Sequence, residues 1–397
     1  MLRLKGTATM KFTDIELRNW KNFPKVDVNL SNRVFIIGPN ASGKSNFLEV
    51  FKFLRDLALS GGGLSEACRI RGGIKSIRSV FARQKSDVQI KVGITLKTGD
   101  RWSYDLAFNK QARTETPVVV HEIVRNLSAE ERGERNGPVL SRPNEEDKSD
   151  PELLTQTAIE QTNANKDFRE VAEFFRTIRY LHLVPQVVRE GSGKPDSVFS
   201  EDSMGRDLLD RMSGTSKRTL DARLKVLQNA LQIAVPSFQT LELIKDERGR
   251  PHLQVRFEHW RSSGTFQDET QFSDGTLRLI GLLWSLMEDS GPLLLEEPEL
   301  SLHAGLVTKL GPLIHRAQKA AKGRQIILST HSEHMLRDKG IGADEVLFIE
   351  AKAEGSAITE ASKVPEIVTM MKKAGLTASE AVLPKTKPAQ IDLFDRV

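Results

Sequence analysis

Hydrophobic positions along the chain fall into two kinds of pattern. Alternating or β-branched stretches predict strands at residues 11–20, 25–30, 87–96, 102–108 and 118–124. Residues 33–37, RVFII, form an apolar run too short for a helix, which predicts a buried strand. That run stops at Gly38, and helical spacing follows over 45–59. Residues 128–151 are polar, carry charge runs and Pro143, and predict an exposed loop. Helical apolar spacing returns over 152–180 and 208–234, on either side of the polar, turn-rich stretch 191–203. Strands resume at Leu241, and a second βα pattern runs over 277–350. One short helix and a tail rich in Lys and Pro follow. The expected class is α/β. Residues 1–127 and 239–375 are the two halves of one core, 128–238 a mostly helical insertion, and 376–397 a flexible tail.

Composition narrows this picture in a few places. The 397 residues, 39% of them hydrophobic, suffice for one large or two moderate cores. No apolar run approaches the ~20 residues needed to span a bilayer, and the first residues lack the apolar stretch of a secretory signal. A single cysteine, Cys68, excludes an intramolecular disulfide framework and a Cys-rich zinc site. Cys68 is expected to be small and half-buried. The expected location is the cytoplasm, with no membrane partner. A net charge of +5 permits DNA binding without arguing for it. No repeat or sustained heptad pattern is visible.

Two motifs carry chemistry. Gly38, Pro39, Asn40, Ala41, Ser42, Gly43, Lys44 and Ser45 fit the Walker A pattern, between a predicted strand and a predicted helix that continues with Asn46. Glycines let backbone N–H groups turn inward around phosphate oxygens. Lys44 then reaches the outer phosphates of ATP, and Ser45 offers its hydroxyl to Mg²⁺. The second motif is LLLEEP at 293–298, an apolar strand ending in two carboxylates. Buried acids are costly unless they meet a cation. Glu296 stands at the Walker B position, usually Asp, and is expected to hold the metal through water. Glu297 is placed to polarise the attacking water. The extra methylene of Glu296 leaves its effect on turnover open.

The order of motifs resembles a family. Walker A is followed by a long insertion, then by Phe272, Ser273, Asp274, Gly275, Thr276, Leu277 and Arg278, then LLLEEPE, then Ser329, Thr330, His331 and Ser332. This resembles the SMC, RecF and OLD-type ABC ATPases, and within them the stand-alone AAA family ATPases found with nuclease partners in bacterial defence operons. The resemblance implies a P-loop NTPase of the ABC head type: a mixed sheet core, an antiparallel β lobe and the helical insertion. It implies that Ser273 and Gly275 match the ABC signature, which meets the γ-phosphate of ATP on the other subunit. Asp274 stands where glycine is usual, and its side chain is expected to point away. The resemblance further implies that His331 senses the γ-phosphate and that residues 299–303 form the D-loop at the dimer interface. By the same likeness Gln84 is the candidate Q-loop metal ligand, and Asn19 and Trp20 lie where relatives contact adenosine.

The resulting expectation is an ATPase using ATP and Mg²⁺ that closes as a homodimer or higher oligomer. It would be the sensor subunit controlling a separate effector nuclease in antiviral defence. OLD-type relatives continue into a TOPRIM nuclease domain, for which too few residues follow Glu350, and no other nuclease constellation is visible. A RecF-like repair or chromosome-maintenance ATPase is the alternative. A transporter subunit fits less well, because those chains are shorter and carry LSGGQ. The insertion, with Arg176, Arg179, Lys217, Arg218 and Arg223, is expected to offer partner or DNA contacts, although solvated faces and core account for most of these residues. Gln390, Asp392, Leu393 and Phe394 resemble the pentapeptide that binds the bacterial sliding clamp, a further candidate partner.

Overall fold

A computed structural model describes residues 9–82, 86–111, 114–190, 204–235, 237–257, 265–288, 291–321 and 323–386. The strands in chain order begin with β1 (Lys11–Trp20), β2 (Phe23–Asn29), β3 (Arg33–Ile37), β4 (Val88–Thr95), β5 (Arg101–Lys110) and β6 (Pro117–Asn126). Next come β7 (Leu140–Arg142), β8 (Arg179–Leu181), β9 (Phe238–Lys245), β10 (Pro251–Phe257) and β11 (Thr265–Asp268). The last are β12 (Leu293–Glu296), β13 (Ile326–Thr330), β14 (Val346–Lys352) and β15 (Gly355–Glu360). Five helices matter below: α1 (Lys44–Ala58), α2 (Pro185–Arg189), α3 (Lys217–Ala234), α4 (Asp274–Met287) and α5 (Ala304–Ala320).

The central sheet has the order β15-β14-β3-β13-β12-β8, parallel throughout except for the edge strand β15. Its short strands read as unbroken apolar runs because both faces are covered. Val34 and Ile36 of β3, Leu294 of β12 and Ile327 of β13 turn to one hydrophobic core. Phe35, Ile37, Leu293, Leu295, Ile326 and Leu328 turn to the other. The first core is closed by α1 and by the antiparallel sheet β2-β1-β4-β5-β6-β7. The second lies under α3, α4, α5 and the small antiparallel sheet β11-β10-β9. Gln325 ties the layers together: its side-chain oxygen accepts from Phe12 N at 2.9 Å, and its amide donates to Phe12 O at 2.8 Å and Ser31 O at 3.0 Å.

Several sequence expectations are corrected. Residues 152–180 are not one helix. They form short turns, a two-turn helix over Arg169–Arg176, and then β8, which pairs in parallel with β12. Helical apolar spacing there reflects Phe168, Val171, Phe174 and Phe175 packing into the first core, while pairing with β12 overrides local preference at β8. Residues 128–151 are not a plain exposed loop. Arg142 and Asp147 are buried as a 2.6 Å ion pair, and Arg142 lies 3.5 Å from the fully buried Glu122. The expected insertion therefore contributes to both cores and to the central sheet. The tail boundary at 376 also moves, because Ala378, Ala381 and Val382 are buried in the second core. Cys68 is 2% exposed rather than half-buried. Among the described residues, no helix is long and apolar enough to cross a membrane.

Candidate functional site

The ends of β3, β12 and β13, side by side in the sheet, set the site. From β3 the chain enters a loop in which Ala41 (φ 61°) and Gly43 (φ 109°) adopt left-handed conformations before α1 begins. Lys44 curls back over this loop, donating to Gly38 O at 2.9 Å and Pro39 O at 3.2 Å. Burial pushes its ammonium below the ordinary value, opposed by Glu297, Glu299 and Glu296. Ser45 Oγ donates to Glu296 Oε1. Glu297 lies 4.0 Å from Lys44 Nζ and 3.2 Å from His331 Nδ1, and it takes a left-handed φ of 43° at the turn leaving β12. A bulky residue at such a φ is strained and must be held by its surroundings. Its backbone N–H donates to Ser329 O at 3.1 Å. Glu299, buried behind, accepts from Thr330 Oγ1 at 2.5 Å, and burial raises its carboxyl above the usual range.

Three residues at the site lie outside the motifs. Asn22 braces the Gly38–Ser45 loop from the β1–β2 turn: its Nδ2 donates to Ser42 O and Ser356 Oγ, both at 2.8 Å, and its Oδ1 accepts from Asn46 Nδ2 at 2.8 Å. Tyr180, from β8, donates its hydroxyl to Glu296 Oε2, with Lys52 Nζ 4.3 Å from its ring centroid. His182 Nδ1 is 3.9 Å from the same carboxylate oxygen, and burial, with Arg278 nearby, holds this imidazole below its usual value. Burial also raises the Glu296 carboxyl, and the Ser45 bond works against that shift. No sequence motif marks Asn22, Tyr180 or His182; pairing of β8 with β12 brings the last two in.

Beside the loop opens a cleft of about 410 Å³ lined by Lys21, Asn22, Asn46, Lys75, Arg78 and Phe81, among others. Neither Asn19 nor Trp20, the residues expected near adenosine, lines this cleft. Trp20 is fully buried, its indole N–H donates to Asn46 O at 2.8 Å, and it has no face to offer a base. Asn19 donates to Asp87 O at 2.9 Å and is not part of the cleft lining. The next two residues, Lys21 and Asn22, line the cleft.

Ser273 caps α4, its hydroxyl accepting from Thr276 N at 3.2 Å. Gly275 is required by a close approach, since a Cβ there would lie 2.6 Å from Ser301 O. The turn at Ser273–Gly275 thus packs against the backbone of Ser301. Among the described residues, no hydrogen bond or ion pair joins Ser273 or Gly275 to the loop Gly38–Asn46 of the same chain. Gln84, Gln390, Asp392, Leu393 and Phe394 lie outside the described residues. The five basic residues of the expected insertion do not make one patch. Arg176 donates to Ala58 O at 2.5 Å, Arg223 lies 5.0 Å over the Trp284 ring, and burial lowers the Arg179 guanidinium; Lys217 and Arg218 are exposed.

The family described as "AAA domain, putative AbiEii toxin, Type IV TA system" matches residues 33–337. Endonuclease GajA of Bacillus cereus (strain VD045) is 41% identical over 58 residues, 15% of this chain and 10% of that protein. The aligned segment thus spans about a tenth of that relative. Among solved structures, an Smc head bound to the C-winged helix domain of ScpA aligns over 88% of this chain and 97% of that one, at 14% identity and a TM-score of 0.54. An Smc head with an extended coiled coil, bound to the C-terminal domain of ScpA derived from Pyrococcus furiosus, aligns over 91% and 100%, at 12% identity and a TM-score of 0.51. At such identities the likeness is one of fold: the chain has the architecture of these Smc heads.

Proposed function

The chain belongs to the AAA-domain family that matches its residues 33–337, and on that premise we propose that it binds and hydrolyses ATP, closing as a dimer around the nucleotide to control a separate effector nuclease. One observation carries the catalytic part. Lys44 and Ser45 of the loop meet Glu296, Glu297 and His331 at the ends of three adjacent strands. A P-loop lysine and serine facing two carboxylates is the arrangement phosphoryl transfer to water needs.

In this reading the loop's backbone N–H groups and Lys44 hold the phosphates, and the cleft beside Asn22 takes the nucleoside. Ser45 and Glu296 are hard oxygen donors already in contact, which fits Mg²⁺ completed by phosphate oxygens and water. Bound there, Mg²⁺ supplies positive charge against the phosphates. Glu297 takes a proton from the attacking water, and His331, 3.2 Å away, orients that carboxylate. Ser273 and Gly275 stand at the N-terminus of α4, where backbone N–H groups favour an anion. Their packing against Ser301 supports completion of the site by a second copy. The nuclease partner is supported by the segment shared with an endonuclease.

The test is Glu297→Gln. It keeps the shape and the loop contacts but removes the base, so ATP binding persists while turnover falls about 10²–10⁴-fold. Sedimentation with ATP then shows a trapped dimer, whereas Lys44→Ala loses binding as well. Wild-type turnover by Glu297→Gln refutes the assignment.

A further inference from the structure

The signature turn carries an acid where glycine is usual, and a distant part of the chain supplies its partner. Asp274 is the first residue of α4, beside the N-cap Ser273. Arg189, the last residue of α2, donates from Nη2 to Phe272 O at 2.7 Å and to Asp274 Oδ1 at 2.5 Å. The two side chains are 23% and 40% exposed, so solvent only partly screens them.

The segment that presents Arg189 is firmly held. It starts at β8 in the central sheet, and Leu183 and Val188 are buried in the second core. Leu183 lies so close to α4 that a Cβ on Gly281 would come within 2.0 Å of its Cδ1. Arg189 is thus carried on a strap clamped across the helix that follows the signature.

An acid in the first turn of a helix is favoured by the helix dipole. The same N–H groups attract a phosphate, and a carboxylate beside them repels it strongly at separations of a few ångströms. We infer that Arg189 is a positioning residue for the signature. It draws the Asp274 carboxylate aside and neutralises it, leaving the N-terminus of α4 to the nucleotide phosphate of a second copy. This inference rests on the dimer reading proposed above. A local staple between α2 and α4 would place the same two side chains together, so the two explanations must be parted by their coupling.

The experiment measures ATP-driven dimerisation by sedimentation, with every variant built on Glu297→Gln to stop turnover. Arg189→Ala weakens the dimer roughly tenfold or more. Asp274→Asn, close to isosteric and uncharged, dimerises like the parent. The pair Arg189→Ala with Asp274→Asn recovers most of the loss, because the charge that Arg189 masked is gone. Arg189→Gln, which keeps an N–H donor but not the charge, follows Arg189→Ala and replaces it if the alanine variant melts early. A double variant as weak as Arg189→Ala alone overturns the inference, as does an Arg189→Ala dimer matching the parent. A parent that stays monomeric with bound ATP overturns the dimer reading and the inference together.

Discussion

Asn22 offers the sharpest test of how the phosphate loop is held in shape. Asn22→Ala removes three hydrogen bonds, to Ser42 O, Ser356 Oγ and Asn46 Nδ2, each at 2.8 Å. At a net ~0.5–1.5 kcal/mol each they total about 3 kcal/mol. Ser42 O keeps a second donor, Ser356 Oγ at 2.7 Å, which brings the expected loss to about 2 kcal/mol. Should that loss fall wholly on ordering the loop, ATP affinity drops roughly 30-fold. Gly43 adds an internal control. Its φ of 109° is hostile to a side chain, and a Cβ there would lie 2.1 Å from Asn22 Nδ2. Gly43→Ala thus carries two penalties, about 1–2 kcal/mol for the backbone and a clash with the asparagine. In the Asn22→Ala background only the backbone penalty remains. The two substitutions should therefore be non-additive by about 1–2 kcal/mol, the double variant binding better than the sum of the singles. Titration with a fluorescent ATP analogue, alongside thermal denaturation, gives the four corners of the cycle. Wild-type affinity in Asn22→Ala, or additivity within ~0.5 kcal/mol, refutes the reasoning.

Two further outcomes follow from side chains that carry no motif. Tyr180→Phe loses the hydrogen bond to Glu296; the Mg²⁺ concentration needed for half-maximal nucleotide binding should rise several-fold while binding in EDTA stays unchanged, and equal Mg²⁺ titrations would count against a role for Tyr180. Burial pushes the Cys68 thiol up to about 12, so the native protein should resist thiol reagents at pH 8 and react only on unfolding. The unfolded thiol ionises near ~8.5; between that pH and 12 the unfolded state releases its proton first, and stability is lost as pH rises. Cys68→Ala should flatten that loss in denaturant titrations, and parallel wild-type and variant curves would refute it.

Local patterns determined a good deal about this chain. The strand β3, the loop Gly38–Ser45 and the start of α1 are contiguous, so the spacing of apolar residues and glycines specifies them without help from the rest of the molecule. The same holds for LLLEE at the end of β12, where a run buried on both faces must end in polar groups. The motif order also carried the family, because four short segments in sequence are specific even when the residues between them are not.

Tertiary structure decided the rest, where the signal is a relation between distant residues. β8 is three residues long and gains its strand character from pairing with β12; helical spacing just before it hides the change. That pairing alone puts Tyr180 and His182 against Glu296. Asn22 is a lone turn residue in sequence and becomes the lock of the loop through its bonds to Ser42 and Asn46, reinforced by Ser356, 334 positions away. Arg189 reads as one charge among many until the strap lays it 2.5 Å from Asp274. Trp20 goes the other way: an aromatic that looks available for a base is fully buried, since the first core needs its volume against Phe53. Hydrophobic periodicity reports which face of an element is buried, not what it is buried against, and here it is those long-range partners that complete the site.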